Sequence, residues 1–452
     1  MQMSSNESIH GMWSSRLMFI MAAAGSAVGL GNIWRFPYVA GENGGGAFVL
    51  VYLLCIFLIG IPILTSEILL GRAGRQSPIN TMQTLVQKSG ANKGWNVIGW
   101  MGALAGFMIL SFYAVIAGWA MSYIHSSATG TFVGISGDGA NDVFQNLVGD
   151  PVQVLSWHGL FMLLTIYIVG RGVNEGLEKA VKYLMPALFL LLLLLVGYSA
   201  TTSHFGEGLA FLFSFNVEKL TWAGVLIAMG QAFFTLSLGM GAIMTYGAYM
   251  PKNSSIVGSA TIIALLDTGV ALLAGIAIFP LVFANGLESS SGPGLMFVTL
   301  PLAFGQMSGG LIFGTLFFLL VTFAAITSSI SLIEPALAWL VENLNVSRVR
   351  GSILVGGVAW LLGLGSAFST NIWSDLMILP GMTFFDSMDY VSNNIMLPLG
   401  GMLIALFAGW AVDNSISKDE LQLSSTRFFI WESLVRYIAP LAVGVVFVMT
   451  FI

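Results

Sequence analysis

The chain of 452 residues carries 16 Lys+Arg and 21 Asp+Glu, so only 8% of it is charged while 56% is hydrophobic, and its mean hydropathy is +0.88. A soluble domain is about one-quarter charged, which excludes a water-soluble globular protein and leaves an integral membrane protein. One cysteine, four scattered histidines, a formal net charge of -5 and the lack of any basic block further exclude a disulfide scaffold, a His/Cys metal centre and nucleic-acid binding.

A helix crossing a hydrocarbon core of about 30 Å needs about 20 mostly apolar residues. Runs of that kind lie near 16–38, 46–70, 96–124, 156–171, 180–199, 222–249, 256–284, 307–343, 350–367, 385–412 and 430–452. They predict an all-α polytopic protein of about 11 spans; no alternating strand pattern recurs to suggest a barrel. With the N-terminus inside, Arg72, Arg75, Lys88, Lys93, Arg171, Lys179, Lys182, Lys252, Arg348, Arg350, Lys418 and Arg427 fall in or beside inner loops. Outside, Lys219 is the single positive residue, against Asp138, Asp142, Asp150, Glu207, Glu288 and Asp375. This asymmetry predicts an N-terminus inside and a C-terminus outside.

Segment 1–12 has neither a basic n-region nor a small-residue cleavage site, so the first span is read as retained rather than as a signal peptide. The sequons at Asn6, Asn253 and Asn345 all fall on the inner side, where none is glycosylated, and this favours a bacterial cytoplasmic membrane. One polytopic domain, 1–452, accounts for the whole sequence.

Span one contains Gly25-Ser26-Ala27-Val28-Gly29-Leu30-Gly31-Asn32, followed by Trp34-Arg35-Phe36-Pro37. Each glycine weakens a helix by about 1 kcal/mol relative to alanine, and backbone groups released inside a membrane must find other partners. Asn32 and Arg35 close by suggest that the released carbonyls coordinate something, although the same glycines also fit a close-packed helix face. Span six repeats the pattern at Gly230-Gln231-Ala232-Phe233-Phe234-Thr235-Leu236-Ser237-Leu238-Gly239-Met240-Gly241. Interrupted segments at corresponding places in two halves mark a midplane site in membrane carriers, a rule itself drawn from the family named next. Two inverted halves, about 13–200 and about 220–413, with an added helix at about 429–452, follow from that reading.

These stretches, together with Glu42-Asn43-Gly44-Gly45-Gly46-Ala47-Phe48 and Thr327-Ser328-Ser329, resemble the neurotransmitter:sodium symporter family from Trp13 to the last span. The resemblance implies eleven or twelve helices with spans one and six discontinuous. It also implies sodium-coupled uptake of amino acids or related amines by alternating access. Two sodium ions and an amino-acid substrate are then the expected ligands and the lipid bilayer the surrounding; no obligate protein partner is inferred.

Carried over residue by residue, the first sodium site takes the Ala27 carbonyl, the Asn32 and Thr235 side chains, Asp267 of span seven and the substrate carboxylate. The second takes carbonyls of Gly25, Val28 and Ala324 with the hydroxyls of Thr327 and Ser328, oxygen donors that suit a hard cation. Those hydroxyls also fit bonding back within their own helix. Many members have Asn where Asp267 stands, and chloride-dependent members have Ser where this chain has Ala271. Two sodium ions and a zwitterion leave excess positive charge in a dry site, so Asp267 is expected to serve as counter-charge and transport to need no chloride. A merely structural polar role for Asp267 is the alternative.

For the substrate, backbone N–H groups near Leu30 and Gly31 at a half-helix start suit a carboxylate, joined by Tyr113. Gly29 lacks the aspartate with which biogenic-amine carriers hold an amine. Ile109, Phe234, Ser237, Met240 and Leu332 form an apolar side-chain pocket, with Ala27, Thr235 and Ser328 completing its wall, and imply a hydrophobic or aromatic amino acid. Met240 stands where the bacterial leucine carrier has phenylalanine, and its flexible side chain favours a bulky ring.

Arg35 and Asp389 match the family's outer ion pair, above a lid of Tyr113 and Phe234. Trp13, Tyr249 and Glu342 match the inner gate, where His10 replaces the usual arginine and Arg16 is a possible substitute. In span five, Gly176 and Pro186 have the spacing with which bacterial members unwind that helix to admit water to the second sodium. Glu67 is expected as a buried hydrogen-bonding hub, and Glu334 as a protonated structural residue rather than a proton-exchange site. Two other functions stay open at this level: a carrier of small amino acids, and a sensor that binds without transporting. A membrane enzyme is disfavoured, because neither H-E-x-x-H nor G-x-S-x-G occurs.

Overall fold

The computed structural model describes residues 9–287 and 293–450; Asn6 and Glu288, named above, lie outside them. Among the described residues nine helices are long and apolar enough to cross a membrane, and Arg16–Ala27 with Gly31–Glu42 forms a tenth crossing, bent by 62°. Trp222–Thr235 and Ala242–Ala248, separated by six non-helical residues, make the eleventh. In chain order, span two is Gly46–Gly74, three Lys93–Ala128, four Pro151–Gly170 and five Val173–Ser199. Seven is Ile256–Ala284, eight Gly310–Leu344, nine Arg348–Phe368, ten Phe384–Ala411 and eleven Ser425–Met449. The protein is an all-α polytopic membrane protein with spans one and six discontinuous.

The breaks have local causes. In span one the helix stops at Val28, whose ψ of 105° turns the chain out of the helix. Gly29 allows the close approach this needs, since a Cβ there would sit 3.1 Å from Ser328 Oγ and 3.2 Å from Tyr113 Oη. In span six Ser237, Gly239 and Gly241 have φ values of 54°, 82° and 73°. At Gly239 a Cβ would also sit 2.6 Å from the Leu397 carbonyl oxygen, so only glycine fits. The released Gly239 N–H donates to the fully buried Glu67 at 2.6 Å, which makes Glu67 the hub that holds this break open.

Several elements depart from the sequence reading. Span four begins at Pro151, five residues before the apolar run, because Asp150 caps the Val152 and Gln153 N–H groups at 2.9 and 3.3 Å ahead of a proline at the first helical position. Helices also form at Pro78–Lys88, Gly137–Gly149, Phe205–Phe213, Leu300–Gln306 and Asn414–Leu421, and a small hairpin pairs Met377–Leu379 with Met382–Thr383. Span five runs unbroken through Pro186, beginning as a wide turn at Val173–Glu178, so the expected unwinding is not the form seen here.

Candidate functional site

The two breaks face each other and, with spans three and eight, line a cavity. Ala27, Leu30, Gly31, Ile109, Tyr113, Phe234, Thr235, Ser237, Met240, Ser328 and Leu332, every residue assigned above to substrate, line it, and Ser26, Gly29 and Asn32 join them. Its aliphatic wall of Ile109, Met240 and Leu332 is buried. The Tyr113 hydroxyl, on that same lining, is buried next to Ser328 and the Leu30 backbone.

Three of the four protein groups assigned to the first sodium site meet in one cluster. The Asn32 amide donates to Asp267 Oδ1 at 2.7 Å and to Thr235 Oγ1 at 3.0 Å, and Thr235 donates to Asp267 Oδ2 at 2.8 Å. Asn32 Oδ1 accepts the Gly29 N–H at 3.0 Å, which ties the cluster to the break in span one. Ala27 lies on the adjoining cavity wall. Asp267 is fully buried, and its side-chain partners, Asn32 and Thr235, are neutral. Oxygen donors around a carboxylate are the chemistry that suits sodium.

The group assigned to the second site is looser. Ser328 donates to the Val28 carbonyl at 3.3 Å and to the Ser26 carbonyl at 3.4 Å, bridging spans eight and one. Thr327 instead bonds back to the Phe323 and Ala324 carbonyls at 3.2 and 3.0 Å, the commoner habit of a helical hydroxyl. Gly25 packs between Thr327 and Met185 of span five, whose sulfur lies 3.0 Å from the place of a Cβ. Ser26, not anticipated from the sequence, holds the region together: its hydroxyl donates to Ser331 at 2.7 Å and its carbonyl accepts from Ser237 at 3.0 Å.

Above the cavity lies a vestibule of about 830 Å³, and Leu30, Gly31, Ile109, Tyr113 and Phe234 line both spaces, so they form the partition between them. Arg35 and Asp389 both line the vestibule but form no ion pair. Asp389 accepts from the Asn393 amide at 2.6 Å, and the Arg35 guanidinium lies 5.3 Å from the Phe234 ring centroid. The pair expected of a closed outer gate is therefore apart.

The end of the bundle where the N-terminal segment docks is closed. Trp13, 2% exposed, donates its backbone N–H to the Tyr249 carbonyl at 3.0 Å and its indole N–H to the Tyr246 carbonyl at 3.1 Å. Glu342 bonds His10 Nε2 at 2.9 Å and also accepts from Ser77 N, Ser77 Oγ and Asn80 Nδ2 at 2.7, 2.5 and 2.7 Å. Arg16 does not replace the missing arginine: its guanidinium donates to Ser259 at 3.0 Å. Glu334 accepts from Tyr249 Oη at 2.7 Å and pairs with Arg348 at 2.5 Å. The side-chain rings and charges involved were visible in the sequence; that Arg348 turns back from the start of span nine to meet span eight was not.

Comparison with known proteins agrees with this architecture. The model of the "Sodium:neurotransmitter symporter family" matches residues 10–135 and 148–452. An uncharacterized sodium-dependent transporter of Bacillus subtilis, YhdH, is 40% identical over 96% of both chains. An uncharacterized sodium-dependent transporter of Haemophilus influenzae is 35% identical over 99% of both. The crystal structure of MhsT in complex with L-phenylalanine superposes with a TM-score of 0.89 at 46% identity, covering 97% of this chain and 99% of that one. A match of this extent settles that the chain belongs to the sodium:neurotransmitter symporter family, a family of sodium-dependent membrane transporters and not of enzymes.

Proposed function

We propose that the protein imports a hydrophobic or aromatic amino acid together with sodium, by alternating access and without chloride. The observation that carries this reading is the apolar cavity between the two helix breaks, with the buried Tyr113 hydroxyl on one wall and the buried Asp267 cluster against another. The substrate carboxylate reaches Tyr113 and the Leu30–Gly31 backbone and completes a sodium shell begun by Ala27, Asn32, Thr235 and Asp267. A second sodium binds Gly25, Val28, Ala324, Thr327 and Ser328, where Thr327 gives up its bond within span eight. Asp267 balances the added charge that chloride would otherwise offset. A relative solved with L-phenylalanine, similar over nearly the whole chain, supports the choice of an apolar side chain.

Arg35 and Asp389 close the outer path once the site is filled, while the contacts of Trp13, Tyr249 and Glu342 break to open the inner one. The N-terminus faces the cytoplasm of a bacterial cell and the two halves, about 13–200 and 220–413, rock about the site. The test is uptake of labelled phenylalanine, leucine and glycine by proteoliposomes holding the purified chain, with sodium or potassium outside and chloride or gluconate as the anion. Accumulation of phenylalanine that needs sodium and persists in gluconate is expected. Loss of uptake in gluconate refutes the role of Asp267, and preference for glycine refutes the substrate class.

A further inference from the structure

The end of span six beside the N-terminal segment is held from two sides. On one side lies Trp13, bonded to the Tyr246 and Tyr249 carbonyls. On the other stand two arginines at the end of span two, which divide the carbonyls of alternate residues between them. Arg75 donates to Ala248 and Met250 at 3.2 and 2.5 Å, and Arg72 to Lys252 and Ser254 at 3.3 and 2.5 Å. Helix Ala242–Ala248 ends here, so the guanidinium groups sit where a helix end releases carbonyls and favours a cation.

Arg72 also reaches a third element. Its Nε donates to the Glu420 carboxylate at 2.5 Å and its Nη2 to the Glu420 backbone carbonyl. Glu420 belongs to the short helix Asn414–Leu421, which joins spans ten and eleven. That helix is fixed at its start as well, because the Asp413 N–H donates to Ser89 Oγ at 3.0 Å, just past helix Pro78–Lys88. Ser77 and Asn80, at the other end of Pro78–Lys88, are the residues that grip Glu342. Helix Asn414–Leu421 therefore braces both supports of the closed end. Arg72 is 3% exposed, and Glu420 is its carboxylate partner. A buried guanidinium that loses its carboxylate is left with an unpaired charge, which is relieved when the side chain turns to water and lets go of Lys252 and Ser254.

We propose that Arg72, braced by Glu420, is a positioning residue for transport. It sets how firmly the end of span six stays closed against Trp13, and helix Asn414–Leu421 carries that restraint from spans ten and eleven. The proposal rests on the reading that this end opens in the transport cycle. Loss of the brace shifts the balance towards the form open at this end.

The test uses the full chain in lipid nanodiscs, in a Cys55→Ser background, with a polar maleimide in sodium. One reporter is Tyr246→Cys, buried against the Trp13 ring; the other, in a separate protein, is Phe385→Cys in the vestibule. Glu420→Ala should speed labelling of the first about tenfold, the worth of one charge-assisted contact, and should not speed labelling of the second. Glu420→Gln, which keeps an acceptor without the charge, should fall between Glu420→Ala and the parent. Asp419→Ala, the loss of a like charge from the exposed neighbour, should change neither rate. Faster labelling at both reporters is general loosening and overturns the proposal. So does an unchanged rate at Tyr246→Cys, or an equal effect from Asp419→Ala. If phenylalanine with sodium moves neither reporter in the parent, it is the transport reading that fails, and the two failures are thereby distinct.

Discussion

At the scale of single residues, two buried carboxylates solve the same electrostatic problem in different ways. Glu334 has a permanent counter-ion in Arg348 and a second donor in Tyr249; Asp267 has only neutral donors from protein side chains, Asn32 and Thr235. The first is suited to structure; under the proposed function the second holds a mobile cation. Removing one member of a buried pair strands the other charge at a cost of about 3–5 kcal/mol. Arg348→Gln should therefore lower the thermal unfolding temperature sharply, and adding Glu334→Gln should restore most of the loss; a double variant as unstable as the single one contradicts the pairing. For Asp267→Asn the expected outcome is sodium-driven uptake reduced by about tenfold or more, since a charge-assisted contact is worth about 1.5–3 kcal/mol. Chloride should not rescue it, because Ala271 offers no hydroxyl. Uptake at the parent level would sink the counter-charge argument. The cavity residues were legible in the sequence because glycine interruptions and family motifs mark them directly. The Arg348 pairing was not, since contacts made across a helix–turn–helix carry no local pattern.

At the scale of elements, the breaks in spans one and six are stabilised by packing and not by weak propensity alone. Gly239 combines a φ of 82° with a carbonyl oxygen 2.6 Å from the place of a Cβ, so Gly239→Ala should displace span ten and disturb the bond to Glu67. Loss of sodium-dependent uptake with reduced thermal stability is expected; near-parent behaviour in both would show that the turn tolerates a side chain. The same scale explains what escaped the sequence reading. Span four starts early because an Asp-Pro cap extends it past its apolar run, and hydrophobicity windows do not register caps. Phe205–Phe213 and Gly137–Gly149 are too short to cross a membrane, the first although it is apolar, the second in a stretch whose composition resembles a loop. Span five shows the reverse: Gly176 and Pro186 permit unwinding, but Met185 packs on Gly25, Asn174 donates to the Met12 carbonyl at 2.9 Å and Ser14 bonds Glu178. These contacts keep the helix wound while the N-terminal segment is docked.

For the whole molecule, the asymmetry between the two ends defines a state and predicts how it changes. At one end contacts run from residue 10 to residue 342 through Trp13, Tyr249 and Glu342, whereas at the other Arg35 and Asp389 stand apart across the vestibule. A ligand shifts such an equilibrium only by binding one state better than the other. The amino acid does so if Tyr113 and Phe234, which partition vestibule from cavity, fold over it and let Arg35 leave the Phe234 ring for Asp389. Sodium alone has no such lever, because the Asp267 cluster is already assembled and lies below the partition. A cysteine placed at Phe385, which lines the vestibule, in a Cys55→Ser background should react readily with a polar thiol reagent in sodium. Its reaction should slow by about tenfold when phenylalanine is added, as for a closing equilibrium biased by about 1.4 kcal/mol, and the slowing should disappear in Arg35→Ala. Protection by sodium without amino acid, or protection that survives the loss of Arg35, would place the closing force somewhere other than this gate.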